Sequence, residues 1–396
     1  MIKREHYLSQ IRGFYDSDLI KVITGIRRCG KSVILDEIRE EISQKTDNII
    51  YLNFENVLTL SSISSGMELI SYVNKYRKPG KCYIFLDEIQ NIEDWANAVK
   101  TLRLEDNSVF ISGSNSKLLS HEFLNELSGR FVSFQIRPFV YKEIVEYARE
   151  LNFVPDVGDY LVWGGFPKRF EFQKKEDQIK YLSEIDSTII IHDLISRYKI
   201  RKEILFRKLV NYVLKSNSRI FSAKSIYDYI KNEYYDCSVN TIMKYIDYLK
   251  ESFVIEEIPQ YSLKAKKNLN YYGKLYDMDV SFNSLRIEGG RYDIDHNLEN
   301  IIYHELSYMG YKISLFNDNG KKIDFRCEKN NRTYFVQVAN SVADEKAYKR
   351  EFSAFDKLDN RNEKILITTD LIDYSTSTVR HIRLPKFLLM DSLDRR

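Results

Sequence analysis

The sequence has little of several features that would place it among membrane, fibrous or disordered proteins. Its 396 residues include only six prolines and fifteen glycines, so we expect no long disordered linker. Its formal net charge is +3, which as a total does not indicate a strongly basic nucleic-acid binder. The apolar runs are too short to cross a bilayer, and the first thirteen residues lack the apolar core of a signal peptide. We therefore expect a protein without a membrane segment.

Cysteine is also rare, and the spacing of its residues excludes two common uses of this residue. No two cysteines have the separation typical of a zinc site, and nothing resembles a disulfide framework. Free thiols suit a reducing compartment, so we predict a cytoplasmic location. The four cysteines are Cys29, Cys82, Cys237 and Cys327.

Enough apolar residues are present to build more than one hydrophobic core. Hydrophobic residues make up 43% of the chain and charged residues 30%, as in soluble globular proteins. At roughly 100–200 residues per domain, a chain of this length predicts about two to four domains.

The most informative stretch is "ITGIRRCGKSVIL", residues 23–35. The β-branched segment 18–25 predicts a buried strand, and the apolar spacing in 31–42 predicts a helix. A Gly-x4-Gly-Lys-Ser loop between a strand and a helix is typical of a phosphate-binding P-loop, whereas the alternative is a chance glycine turn. The candidate nucleotide-binding residues are Gly25, Ile26, Arg27, Arg28, Cys29, Gly30, Lys31, Ser32 and Val33.

Two of these residues have predicted contacts with the nucleotide and its metal ion. We expect Lys31 to reach the β- and γ-phosphates of ATP, and the Ser32 hydroxyl to ligate Mg²⁺. Arg27 and Arg28 either steer the nucleotide or face solvent. The start of the following helix adds a favourable potential for an anion.

A second motif supplies the acids that nucleotide hydrolysis needs. The apolar run 83–86 ends in Asp87 and Glu88, as expected for a central parallel strand that delivers carboxylates to its C-terminal edge. Asp87 is predicted to hold Mg²⁺, and Glu88 to orient and deprotonate the attacking water. The alternative is an ordinary acidic turn after a strand.

Further strand and helix patterns alternate along the first third of the chain. This alternation predicts an α/β fold with a parallel sheet and right-handed crossovers. Strands are expected at 48–55, 108–114 and 131–136, and helices at 67–76 and 94–104.

Three other residues are candidates for contacts with the reacting phosphate. Ser114 or Asn115 follows a predicted strand and would touch the γ-phosphate or the water, unless this segment is a simple polar turn. Arg130 is predicted to stabilise developing charge, either in its own chain or in a neighbouring copy.

These motifs, with others that continue almost to the end of the chain, resemble one known group. "KVITGIRRCGKS", "YIFLDEIQ" and "FISGSNSKLLS" are similar to segments of AAA-type ATPases of bacteria and archaea that carry a C-terminal domain of uncharacterised function. Similar later segments include "YLVWGGFPKRF" and "KIDFRCEKNNRTYFVQVAN". The resemblance implies an AAA-like P-loop NTPase sheet with a helical lid, followed by a winged-helix region and an α+β domain similar to PD-(D/E)XK nucleases.

This organisation gives four expected domains. The ATPase core is expected at 1–137, the helical lid at 138–198, the winged-helix-like region at 199–283 and the nuclease-like domain at 284–396.

The winged-helix expectation is also supported by the local pattern. Three predicted helices, two of them capped by Ser222 and Ser238, precede a β-ribbon. The third helix is nearly neutral, which is unfavourable for contacts with phosphate. A basic stretch in the ribbon is either a nucleic-acid contact or a solvated loop; its lysines are Lys264, Lys266, Lys267 and Lys274.

The C-terminal region departs from the nuclease pattern that it resembles. Such a nuclease needs a helix glutamate, a strand aspartate and then Glu-x-Lys, and the carboxylates bind Mg²⁺. Glu299 and Asp324 stand at the first two positions, but Gln337 and Ala339 replace the last pair. We therefore expect a nuclease-like fold that does not cut, unless Glu299 and Asp324 are ordinary surface acids.

Together the sequence predicts a Mg²⁺-dependent ATPase that acts as a nucleotide-driven switch. Residues 199–396 would engage a DNA or protein partner, and an oligomer is possible if Arg130 acts between copies. One alternative is a scaffold that ATP stabilises with negligible turnover. Another is a DNA-binding or DNA-processing enzyme.

Overall fold

The computed structural model divides the chain into two units, which are described separately. The first contains Met1–Pro138 with Glu251–Phe253, and the second contains Phe139–Lys250 with Val254–Arg396. The structure describes residues 2–114, 129–232, 237–261, 273–318, 321–356, 358–359 and 361–394.

The first unit is built on a five-stranded sheet in which every neighbouring pair is parallel. The spatial order is β2-β3-β4-β1-β5, so β4 lies between β1 and β3. This arrangement confirms the predicted parallel α/β sheet. The strands are β1 (Ile20–Thr24), β2 (Ile49–Asn53), β3 (Tyr83–Asp87), β4 (Ser108–Gly113) and β5 (Phe131–Gln135).

Helices cover this sheet and complete its core. The central strands β1 and β4 are buried at every position, because both of their faces are covered. One large apolar cluster joins β1–β4 to α4 and α5 through side chains such as Val22, Leu69 and Leu102. The helices are α1 (Glu5–Arg12), α2 (Lys31–Ser43), α3 (Val57–Ser62), α4 (Gly66–Tyr76) and α5 (Trp95–Leu104).

The second unit begins with a helical region. The Ser222 hydroxyl accepts a hydrogen bond from the Ser225 N–H at 3.2 Å, and the Ser238 hydroxyl accepts one from the Thr241 N–H at 3.2 Å, so both predicted caps are confirmed. A π-helical segment, Ser187–Asp193, separates two of the helices. The helices are α6 (Tyr141–Leu151), α7 (Val157–Trp163), α8 (Lys175–Asp186), α9 (Leu194–Tyr198), α10 (Glu203–Lys215), α11 (Ala223–Asn232) and α12 (Val239–Glu251).

Two short strands follow the third helix of the predicted winged-helix region. β6 (Ile255–Ile258) and β8 (Lys274–Asp277) pair antiparallel, as predicted for the ribbon. Between them, β7 (Gln260–Tyr261) instead pairs in parallel with a strand of the C-terminal sheet.

The rest of the second unit is a mixed six-stranded sheet with helices. Its order is β13-β12-β11-β10-β9-β7, with antiparallel pairing among β9, β10 and β11 and parallel pairing among β11, β12 and β13. Its further strands are β9 (Lys312–Asp318), β10 (Lys321–Lys329), β11 (Arg332–Ala339), β12 (Glu363–Thr368) and β13 (Val379–Arg383). Its helices are α13 (Ser281–Ser284), α14 (Ile294–Tyr308), α15 (Glu345–Ser353) and α16 (Leu384–Phe387).

Candidate nucleotide-binding site

The glycine loop connects the end of β1 to the start of α2. Gly25 has φ +142°, and a Cβ at this position would lie 2.1 Å from the Ile136 carbonyl oxygen. Gly30 has φ +102° and caps α2, which begins at Lys31. Both glycines are therefore required by the backbone, since other residues rarely adopt these angles.

The loop is also held by contacts from neighbouring segments. The Arg4 guanidinium donates to the Cys29 carbonyl at 2.9 Å and to the Arg137 carbonyl at 3.0 Å. The Cys29 thiol lies 3.3 Å from the Ile136 carbonyl oxygen, and burial raises the pKa of this thiol. The buried Cys29 side chain therefore connects the loop to the segment that follows β5.

Lys31 and Glu88 meet at the C-terminal edge of the sheet. The Lys31 Nζ lies 3.6 Å from the Glu88 Oε1 and 3.2 Å from the Ile26 carbonyl oxygen. Both residues are buried, at 4% and 7% exposure. The two motifs predicted separately from the sequence therefore form one site.

Glu88 is held in place by several donors. The Ser114 N–H and hydroxyl each donate to Glu88 Oε2 at 3.2 Å, and the Gln90 side chain donates to the same atom. Burial by itself would raise the pKa of Glu88, but the Lys31 ammonium and these hydrogen bonds outweigh it, so the pKa is lowered from its usual value. The carboxylate is therefore ionised at neutral pH.

Asp87 ends β3 beside Glu88 and is 1% exposed. The Ser112 hydroxyl donates to Asp87 Oδ1 and accepts a hydrogen bond from the Glu88 N–H at 3.1 Å. Asn53 and Tyr51 approach Asp87 Oδ2 at 3.3 and 3.4 Å. Ser112 thus connects both acids, and the sequence analysis did not identify it.

The other predicted loop residues differ in their exposure. Ser32 is exposed on the first turn of α2, Val33 is half-buried, and Ile26 is fully buried. Arg28 is exposed, whereas the Arg27 guanidinium donates to Glu55 Oε1 at 2.8 Å. Arg27 therefore has a carboxylate partner at the surface, and both of its predicted alternatives stay open.

The structure does not bring Arg130 to this site within one chain. Its carbonyl accepts from the Ile20 N–H at 3.0 Å, at the amino ends of β1 and β5. The phosphate loop lies at the other end of these five-residue strands, about 16 Å away at 3.3 Å per residue. A role for Arg130 in its own active site is therefore wrong, and a role toward a neighbouring copy stays a prediction. Asn115 lies outside the described residues.

The predicted C-terminal site residues are also brought together. Glu299 and Asp324 are not ordinary surface acids, since their side chains are 12% and 18% exposed. Lys274 is not part of a solvated loop: its Nζ lies 2.7 Å from Glu299 Oε1. The other ribbon lysines, Lys264, Lys266 and Lys267, lie outside the described residues.

Two parts of the chain match known family models. Residues 17–145 match the model of an AAA domain, and residues 154–287 match a domain of unknown function, DUF8612. The fold and this match therefore identify an AAA-type P-loop domain in residues 17–145.

The chain also has relatives that match over most of its length. An uncharacterised protein of Haemophilus influenzae is 30% identical over 355 residues, which cover 86% of this chain and 88% of the relative. An uncharacterised protein of Methanocaldococcus jannaschii is 28% identical, with 89% of this chain and 82% of the relative covered. The chain belongs to the family of the Haemophilus protein.

Solved structures show a more distant likeness. AMPPCP-bound DnaA from Aquifex aeolicus matches with 16% identity and a TM-score of 0.35, over 63% of this chain and 89% of that chain. A replication initiator DnaA bound to AMPPCP and single-stranded DNA matches with 14% identity and a TM-score of 0.34, over 62% of this chain and 86% of that chain.

Among the described residues, no helix has the length and apolarity needed to cross a membrane.

Proposed function

We propose that this protein is a Mg²⁺-dependent ATPase that acts as a nucleotide-driven switch. One observation carries the proposal: the Lys31 Nζ lies 3.6 Å from the Glu88 Oε1, and Asp87 precedes Glu88 in the chain. These residues lie at the C-terminal edge of the sheet, where the glycine loop begins. Phosphoryl transfer to water requires a cation that binds the phosphates, a carboxylate that holds Mg²⁺ and a carboxylate that accepts a proton from the water. Lys31, Asp87 and Glu88 can supply these groups.

Each group has a distinct task in this proposal. The loop amides and the Lys31 ammonium bind the β- and γ-phosphates. The phosphate oxygens compete with Glu88 for Lys31, so Glu88 becomes available to accept a proton from water. Burial favours the neutral acid, but Gln90 and Ser114 donate hydrogen bonds that lower the pKa of Glu88 and do not depend on Lys31, so Glu88 can carry the negative charge that this step needs.

The donor set also fits a magnesium ion. Ser32 supplies an exposed hydroxyl at the start of α2, and Asp87 supplies a carboxylate at the end of β3. Hydroxyl and carboxylate oxygens are suitable ligands for Mg²⁺ together with nucleotide phosphates. When bound, the ion would neutralise phosphate charge.

The role of the second unit is a separate part of the proposal. We place a helical lid at 138–198, a winged-helix-like region at 199–283 and a nuclease-like domain that does not cut at 284–396. The three helices and the antiparallel ribbon β6–β8 support the winged-helix assignment. These regions would respond to the nucleotide state and engage a protein or DNA partner.

Phosphate release from ATP tests the enzymatic part. Glu88→Gln should retain ATP binding but release phosphate about 100-fold or more slowly than wild type, because general bases contribute 10²–10⁴-fold. The matched control is Asp18→Asn, at the amino edge of the same sheet, where the exposed Asp18 carboxylate pairs with Arg103. The control should retain the wild-type rate.

The contrary outcome is equally measurable. If wild type and Glu88→Gln release phosphate at the same slow rate while both bind ATP, the chain is an ATP-stabilised scaffold and not an ATPase.

A further inference from the structure

A second cluster of charged side chains lies in the second unit. Glu299 on α14 and Asp324 on β10 face the side chain of Lys274 on β8. The Lys274 Nζ lies 2.7 Å from Glu299 Oε1 and 3.6 Å from Asp324 Oδ1. Tyr276, two residues further along β8, also donates its hydroxyl hydrogen to Glu299 Oε1. The ammonium therefore bridges two carboxylates that come from different elements.

The other polar residues of this cluster are already paired. Asp324 Oδ2 accepts from the Val338 N–H at 3.0 Å, and Gln337 Oε1 accepts from the Asp324 N–H at 3.3 Å. The Gln337 amide nitrogen donates to Glu351 Oε2 at 2.8 Å. The Gln337 oxygen thus serves the backbone of β10. Among the described residues, no set of three or more His, Cys, Asp or Glu side chains is arranged to hold a metal ion.

The balance of charge explains why a cation is needed at this point. Burial, and then the nearby Glu299 carboxylate, raise the pKa of Asp324 to about 7, although Lys274 opposes this shift. Burial would lower the pKa of Lys274, but Glu299 and Asp324 reverse this effect and raise it. Two partly buried carboxylates repel each other unless a positive charge or a proton separates them.

A divalent metal ion would satisfy the same requirement by binding both carboxylates. An ammonium and a metal ion cannot both lie between these carboxylates, because two cations at such close range repel each other. We infer that the Lys274 ammonium is the built-in cation of this carboxylate pair, and that a divalent cation binds there only when this ammonium is removed. This inference is independent of nucleotide binding, since it concerns residues of the second unit alone.

Removal of the ammonium tests the inference directly. Mn²⁺ binding to the nucleotide-free full chain can be measured by electron paramagnetic resonance for wild type, Lys274→Met and the double variant Lys274→Met/Asp324→Asn. We expect Lys274→Met to bind one more Mn²⁺ per chain than wild type. The double variant should lose this ion, and any Mn²⁺ bound near the phosphate loop is common to all three proteins.

A second lysine provides a matched control. The Lys250 Nζ also contacts two carboxylates, Asp247 at 2.9 Å and Glu257 at 3.0 Å, but these carboxylates are 50% and 37% exposed. Lys250→Met should therefore gain no such ion, because its carboxylates are solvated rather than held together in a partly buried site.

Three results would overturn the inference. The first is Mn²⁺ binding by wild type that Asp324→Asn abolishes, because Lys274 would then yield its place to the metal. The second is a folded Lys274→Met protein with no additional ion. The third applies if Lys274→Met does not fold and Lys274→Gln is tested in its place. A folded Lys274→Gln protein that binds no additional Mn²⁺ would then contradict the inference.

Discussion

At the scale of single residues, the site depends on side chains that hold the two acids at fixed positions. Ser112 donates to Asp87 and accepts from the Glu88 N–H, so one hydroxyl connects both motif acids. Its own role is positioning, because it would act on the substrate only through these acids.

Ser112→Ala should lower the turnover of ATP about 10-fold and leave KM for ATP nearly unchanged. The reason is that Asp87 and Glu88 lose a common partner, whereas the loop that binds phosphate is intact. Steady-state phosphate release at several ATP concentrations separates the two constants.

Ser108 on the same strand is the matched control. It is also fully buried, but it lies at the other end of β4, where its hydroxyl donates to the Tyr15 carbonyl and accepts from Lys21. Ser108→Ala should lower stability without lowering kcat. Equal losses of kcat in both variants would show that Ser112 acts through stability alone.

The sequence was sufficient to predict that Lys31, Asp87 and Glu88 lie at one edge of the sheet, because their motifs place them directly after strands or at the start of a helix. It was not sufficient for Ser112, whose role depends on β4 lying between β1 and β3. The prediction that Arg130 acts in its own active site was wrong for a similar reason. Its sequence context suggested an arginine near the nucleotide, but the parallel pairing of β5 with β1 places it at the opposite edge.

At the scale of elements, the strand–loop–helix unit requires glycine at its first turn. Gly25→Ala should lower the free energy of unfolding by about 1–3 kcal/mol, because the added Cβ meets the Ile136 carbonyl oxygen and φ is +142°. Thermal or urea unfolding followed by circular dichroism measures the loss.

Gly13 provides the comparison for this prediction. It has φ −60°, and a Cβ there would have no atom within 4 Å. Gly13→Ala should change stability by no more than about 0.5 kcal/mol. An equal effect of both substitutions would contradict the role assigned to the Gly25 backbone.

The five strands of the first unit and its helices α2, α4 and α5 were predicted, because buried parallel strands read as short apolar runs between helical patterns. Its helices α1 and α3 were not predicted. In the second unit, the capped helices, the antiparallel ribbon and the strand that carries Asp324 were predicted, but β9, β12 and β13 were not. For Lys274 the sequence suggested a nucleic-acid contact or a solvated basic loop. Its position on β8 opposite Glu299 follows from tertiary packing rather than from local sequence.

At the scale of the whole molecule, one buried acid links stability to pH. Glu305 on α14 is 2% exposed and accepts from the Tyr141 N–H at 2.8 Å and the Tyr160 hydroxyl at 3.1 Å. Burial raises its pKa from 4.5 to about 8, although these hydrogen bonds oppose the rise. The folded state therefore binds this proton more tightly than the unfolded state does.

Wild type should lose stability relative to Glu305→Gln as the pH rises from about 5 to 8. Below pH 4.5 the carboxyl is protonated in both states and contributes no penalty, whereas above pH 8 it is ionised in both and the penalty is complete. The unfolding midpoints of both proteins across this range provide the measurement.

Glu345→Gln serves as the comparison, because Glu345 is 80% exposed and pairs with Lys349 on the surface of α15. Its difference from wild type should not grow with pH. A pH-independent difference for Glu305→Gln as well would contradict the account of this buried acid.

We propose that the first unit binds ATP with magnesium through its glycine loop and Lys31. Equilibrium binding of labelled ATP, with Mg²⁺ and with a chelator, tests it most directly in wild type and Lys31→Ala. We predict saturable binding of one ATP per chain that Mg²⁺ strengthens and Lys31→Ala removes. Absence of ATP uptake by folded wild type with Mg²⁺ present, or equal binding by Lys31→Ala, would contradict the claim.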